Sequence, residues 1–337
     1  MIPVGQEVEA AQHRHADTIR RLFDGERLEH VPVICPLGQR EYLNAEPACV
    51  EPWLKASVDA IEAGLEAAAH PVTFRPLMIE FWPLGVHFVD ALFGARVYET
   101  GDNFWSDPLP GGLADLSPID VAAHPLVTWA MEVIARLMGD LPPQVQLATP
   151  VFASPLNIAV NILGERCLTD LSAPGPGELR GMAAITDAIA SLHLLARERF
   201  PGERLRFYAS SGRYAPDGFG HICGCTTQLV GPETYARYVA PLDAQVLAVY
   251  PEGGTIHLCG HHTQHIPCWR AMEDLRGVQL NDAAADDFEA YFRGLRDDQI
   301  IYIGPTAAMP IDRILSISGG RRIILQALLD EPVPIRR

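Results

Sequence analysis

The chain has 337 residues, 48% apolar and 20% charged, which is enough to bury a large core and too apolar for a disordered chain. Its 42 acidic against 26 basic residues give a formal net charge of -16 with no Lys/Arg cluster, which argues against nucleic acid or an anionic membrane as partner. The amino-terminal stretch lacks a basic-then-apolar signal layout and no run approaches the roughly 18 apolar residues of a bilayer span, so a cytoplasmic protein is expected.

Residues 14–26 put Ile19, Leu22 and Phe23 on one stripe and predict an amphipathic lead-in helix. The apolar run at 31–35 is the first predicted strand. Runs at 71–79, 144–152, 204–210, 254–260, 277–281, 299–305 and 321–327 bring the count to eight. Helical patterns fall between most of them, at 56–70, 177–200, 232–250, 267–275 and 283–295; the last is acidic early and basic late, matching the helix dipole. Near-continuously apolar strands alternating with helices imply a parallel sheet covered on both faces. Eight such units predict a (β/α)8 barrel, with an open doubly wound sheet as the competing arrangement. Residues 81–141 fit this scheme least and read as an insertion or lid-like excursion after the second strand. No linker divides the chain, so residues 1–337 are expected to form one domain.

The chemistry gathers late in the chain. His221 to Gln228 reads HICGCTTQ, and thirty-six residues later His257 to Gln264 reads HLCGHHTQ, with six of eight positions alike in kind. In an extended strand residues i and i+2 face the same side, so His257 and Cys259 present imidazole and thiolate together. That pair suits a borderline-soft ion such as Zn²⁺. His221 and Cys223 share the spacing, with Cys225 next in line. If the first octet lies in the loop after the preceding strand, its donors could meet the second copy at the barrel mouth. The chain's seven cysteines, an odd number, suit reduced thiols better than a disulfide framework. The competing reading is packed thiols and hydrogen-bonded histidines at strand ends, because buried Cys behaves as a small hydrophobe. His261, His262, His265 and Cys268 crowd the same loop. The Gly-rich stretch 210–220 could turn Arg213, Tyr214 and Asp217 toward the mouth, where Glu80 and Asn281 also stand at strand ends. No dinucleotide fingerprint, P-loop or Gly-x-Ser-x-Gly elbow occurs.

These stretches resemble the uroporphyrinogen decarboxylase-like superfamily, which includes corrinoid-dependent methyltransferases of the methylcobamide:coenzyme M type. RHADTIRRLFDGERLEHVPVICP is similar to its opening helix and first strand, FASPLNIAVNILG to the segment after its third strand, and LVGPETYARYVAPLDAQVLAVYPEGGTIHLCG to the stretch leading into its His-x-Cys-Gly strand. The resemblance implies a (β/α)8 barrel. It further implies that His257 and Cys259 bind zinc, that the ion activates an acceptor thiol, and that a methylcorrinoid, carried on a partner protein or free, donates the methyl group. Those methyltransferases take another Cys from near the C-terminus, and this chain has none after Cys268, so His221, Cys223, Cys225 or Cys268 would complete the set. The decarboxylase branch uses no metal and grips carboxylates with an Arg-rich motif after the first strand. Here that stretch is PLGQREYL, which keeps Arg40 and Tyr42 and lacks the first Arg. Arg40, Tyr42, Arg213 and Tyr214 are thus the expected substrate-orienting residues. The alternatives to a methyltransferase are a metal-free lyase for a smaller carboxylate and a non-catalytic metal- or corrinoid-binding protein.

Overall fold

The computed structural model describes residues 4–37, 50–81, 83–100, 103–149, 153–202, 204–207 and 211–335. Arg40 and Tyr42 lie outside the described residues. The strands are β1 (Val33–Ile34), β2 (Thr73–Phe74), β3 (Met78–Glu80), β4 (Val97–Thr100), β5 (Asn103–Ser106), β6 (Gln146–Ala148), β7 (Leu205–Arg206), β8 (Gly220–Cys223), β9 (Gly254–Cys259), β10 (Leu275–Asn281), β11 (Ile300–Ile303) and β12 (Ile323–Gln326).

Seven of them form a parallel sheet in the order β2-β1-β12-β11-β10-β9-β8, and β3-β6-β7 form a second parallel sheet. Isolated parallel bridges, Phe207 to Gly220 and Ala153 to Cys223, link the two. The expected barrel is therefore met in its parallel strands and intervening helices, and corrected in its closure: no continuous ladder closes the sheet among the described residues. All eight predicted strand regions contain strands. β8 is an addition, because GHIC is short, opens with Gly and carries a central His, and so gives no strand pattern by itself. The first octet consequently begins as a strand, paired directly with β9.

The expected insertion is shorter than predicted. Pro125–Asp140 is a regular helix leading into β6, burying Val127, Ala130, Met131, Ile134 and Leu137 on one stripe. What remains beyond the core pattern is a short helix, Phe88–Leu92, and the antiparallel β4-β5 hairpin. Among the described residues one helix, Pro176–Arg199, is long and apolar enough to cross a bilayer by length and composition. It is packed here, with Met182, Ile185, Ile189 and Leu192 buried.

Alternation along the strands decides where polar groups can stand. On β9 to β12, Ile256, Leu258, Val278, Leu280, Ile301, Ile303, Ile323 and Leu325 join the large core beneath the helices. Their neighbours face the concave side. At its amino-terminal end that side is apolar, filled by Ile34, Phe74, Met78, Tyr302 and Ile324 and plugged by Ile19, Leu22 and Phe23 of the helix Gln6–Phe23. At the carboxyl end the same face turns polar: Glu80, His221, His257, Cys259, Gln279, Asn281 and Gln326. A blocked floor leaves this rim as the open end.

Candidate metal centre

Two turns bring the donors together. β8 is followed by Gly224, whose N–H donates to the His257 carbonyl at 2.8 Å, and the chain enters a 3-10 turn over Cys225–Leu229. The turn hugs β9: a Cβ on Gly224 would lie 2.5 Å from the Ile256 side chain. β9 is followed by Gly260, which takes φ +85° and leaves no room for a Cβ, since Gln228 Oε1 would be 2.3 Å away. The octets are thus packed on one another at the Gly of each.

Cys225, His257 and Cys259 form the one group among the described residues able to hold a metal ion, with all ligand atoms within 4.8 Å of one another. His257 Nε2 lies 2.9 Å from Cys259 Sγ, and its Nδ1 is bonded to Gln279 Oε1. Asn281 Nδ2 approaches Cys259 Sγ at 3.8 Å. The hydrogen bond from Cys225 draws the Cys259 thiol down despite burial, while Cys225, the donor of that bond, is pushed up. One proton shared between two sulfurs is the arrangement a cation would replace.

The other members of the first octet turn elsewhere. Cys223 pairs with His257 in register, yet its sulfur faces Arg213 Nη1 at 3.9 Å and His221 Nε2 at 4.0 Å. Burial pushes its thiol up, with Arg213 opposing. His221 is buried, with Nδ1 on Thr255 Oγ1 at 2.8 Å, and burial, then Arg213, keeps its ring neutral. Both lie beside the cluster and outside it. Of the three donors expected from the first octet, the one in the group is Cys225, which sits past the strand end, where period-two alternation stops.

Arg213 belongs to the turn Ser211–Arg213 and lines a cavity of about 440 Å³ with Cys35, Gln279, Asn281, Thr306 and Gln326. Tyr214 does not join it. The ring packs edge-on to Phe74 at 4.8 Å in the inner apolar cluster, so the expected substrate contact is corrected to a core position. Asp217 is likewise turned away, against Arg206 at 3.4 Å. Glu80 is buried and accepts from Ser211 N at 2.6 Å and Ser211 Oγ at 2.9 Å. Desolvation raises its carboxyl, partly offset by those bonds and by Arg213.

The loop histidines divide by role. His261 is exposed and pairs with Asp287 at 2.8 Å. His262 joins Thr227 Oγ1 at 2.9 Å to the Cys259 carbonyl at 2.5 Å, and His265 Nε2 donates to the Thr227 carbonyl at 2.9 Å. Asn157, on the helix Pro155–Leu163, accepts from Thr226 N at 3.0 Å. These residues clamp the turn carrying Cys225 to the turn after Cys259. Cys268 sits on the helix Ile266–Ala271 and is not in the ligand group.

Behind the clamp, Tyr235 packs with its ring tilted against His265 at 4.3 Å, receives a 2.7 Å bond from Trp269 Nε1, and donates to Asp243 Oδ2 at 2.8 Å. Tyr235 opens a π-helical turn, Tyr235–Val239, inside an otherwise α-helical run. Desolvation raises the Asp243 carboxyl to about 7, against the Tyr235 bond. The folded state therefore holds this proton more tightly than the unfolded chain, so the group's contribution is full below about pH 4 and is lost as pH rises through about 7. Asp243→Asn is expected to melt above the parent at about pH 8 and to lose that advantage progressively as pH falls to about 4. Parallel melting-temperature curves for the two proteins would sink this expectation.

An imidazole and two thiols at the carboxyl rim of a parallel α/β sheet define the class: a protein with a candidate thiolate–imidazole metal centre. No family model matches the sequence, and no curated protein matches it. Among solved structures, the chain is similar to a methyltransferase from Methanosarcina mazei, with a TM-score of 0.61 at 13% identity over 94% of this chain and 93% of that one. That likeness establishes a shared fold. A looser likeness, TM-score 0.39 at 16% identity, covers 63% of this chain and 64% of a protein from Listeria monocytogenes described as a vitamin B12-independent methionine synthase.

Proposed function

We propose that the protein is a zinc-dependent methyltransferase that moves a methyl group from a methylcorrinoid, free or on a partner protein, to an acceptor thiol. The observation that carries this reading is the convergence of Cys225, His257 and Cys259 within 4.8 Å at the open rim. Thiolates and imidazole fit zinc, and three protein donors are the pattern of sites that keep a position for an exogenous ligand. A zinc ion held there supplies one chemistry: it keeps a coordinating thiol deprotonated, and so strongly nucleophilic, at neutral pH.

The chain's own residues do the rest. His257 offers Nε2 because Nδ1 is engaged by Gln279. Asn281 directs an amide N–H at the Cys259 sulfur and tempers its charge. Arg213 and Asn281 border a cavity of about 440 Å³, which suits a small acceptor, so a corrinoid would have to approach from outside the rim. The fold shared with the Methanosarcina mazei methyltransferase, the resemblance of residues 229–260 to the uroporphyrinogen decarboxylase-like superfamily, and the His-x-Cys pair that its methyltransferase branch uses for zinc all support the reading.

The test is elemental analysis of the purified protein, followed by methylcobalamin absorbance with a panel of thiols. Near-stoichiometric zinc and thiol-dependent loss of the methylcobalamin band are expected. Zinc-free protein from metal-replete medium, or zinc-loaded protein inert toward every thiol, would overturn it.

A further inference from the structure

We infer that Gln279 and Gln326 are positioning residues that decide which nitrogen of His257 carries its proton, and that a backbone carbonyl, Gly212 O, is the anchor. Only the relevance to a metal rests on the function proposed above.

The inference follows donor by donor around the rim. Gly212 O can only accept, so the Gln326 atom 2.8 Å from it is the amide nitrogen. Gln326 then presents its oxygen to the other side, where Gln279 Nε2 donates to it at 2.9 Å. With its nitrogen committed, Gln279 has only its oxygen left for His257, so His257 Nδ1 must be the protonated nitrogen of the neutral ring. Nε2 keeps its lone pair and, 2.9 Å from Cys259 Sγ, accepts from that thiol in the metal-free protein. That is the tautomer a metal ligand needs, since its second nitrogen must donate outward.

The anchor is itself held. Glu80 grips the turn of Gly212 through Ser211 N at 2.6 Å and Ser211 Oγ at 2.9 Å. The relay therefore runs from β3 through the turn 211–213 to β12, β10 and β9, reaching over β11, which lies between β12 and β10 in the sheet. Its length has a chemical reason. A carboxylate beside His257 could accept from Nδ1 in any orientation, but an amide can flip and present N–H₂ instead. Gln279 is 4% exposed, and the partner that satisfies its donor is Gln326.

The experiment uses the full chain without metal, labelled at histidine with ¹⁵N and ¹³C, at a pH where the ring is neutral; His257→Gln assigns the signals. NMR of the parent is expected to give the Nδ1–H tautomer at His257. Gln326→Leu, which never touches His257, should shift it toward a tautomer mixture and weaken zinc binding, read by competition with a chromophoric chelator, about 10-fold. Gln326→Glu retains an acceptor for Gln279, so it is expected to restore the Nδ1–H tautomer and guards against a folding artefact. An Nε2–H tautomer in the parent, or an unchanged tautomer in Gln326→Leu, would overturn the inference. A tautomer change in a protein that binds no zinc would leave the relay standing and refute the metal centre instead.

Discussion

Cys225→Ala is expected to lose zinc and methyl transfer together, whereas Cys223→Ala is expected to keep both. The two cysteines are two residues apart in the same octet, so sequence spacing treats them alike. The geometry does not: Cys225 Sγ is in the group whose ligand atoms lie within 4.8 Å, and Cys223 Sγ faces Arg213 and His221. Removing a partner that merely orients a ligand costs about 10–100-fold in metal affinity, so removing a ligand should exceed about 100-fold. Cys223→Ala deletes one buried sulfur and should cost stability of about 1 kcal/mol, the scale of a small core deletion. Metal content after dialysis, with unfolding curves for both variants, separates them. Retention of zinc in Cys225→Ala with loss in Cys223→Ala would reverse the ligand assignment.

Trp269→Ala should be among the most damaging single changes outside the centre. Its side chain is fully buried, packs within 6.2 Å centroid distance of Tyr235, His262, His265 and Tyr291, and donates to Tyr235 Oη at 2.7 Å. Truncating a buried Trp costs about 3–5 kcal/mol, a large share of the roughly 5–15 kcal/mol that holds a domain together. Because His262 and His265 clamp the turns carrying Cys225 and Cys259, zinc affinity should fall with stability. Trp269→Phe keeps most of the packing and gives up the indole N–H bond, so a loss near 1 kcal/mol with zinc retained is expected. Equal denaturant midpoints for Trp269→Ala and the parent would contradict the packing argument.

Much of the scaffold was legible because it rests on local pattern. The stripe Ile19, Leu22, Phe23 announced the helix that plugs the floor, and the apolar runs announced the strands. His257 and Cys259 could be paired from sequence since they share one face of one strand. Gln279 carries the same signal, a polar residue on the inner face of an apolar strand. Pro125–Asp140 has a buried stripe with helical spacing, which separates it from the insertion expected around it. The place of Tyr214 is not legible in sequence because a Gly-rich stretch fixes no direction for the side chains after it.

The amino-acid sequence by itself determined the alternation of strand and helix, the strand carrying His257 and Cys259, and a chemistry of thiolate and imidazole. Tertiary structure alone decided that Cys225 joins them, that Cys223 and His221 do not, and that Gln326 reaches Gln279. The physical reason is range. Periodicity governs residues within one element, where the backbone repeats, whereas these choices depend on how a turn leaves β8 and how side chains meet across three strands, and only the packed chain fixes either.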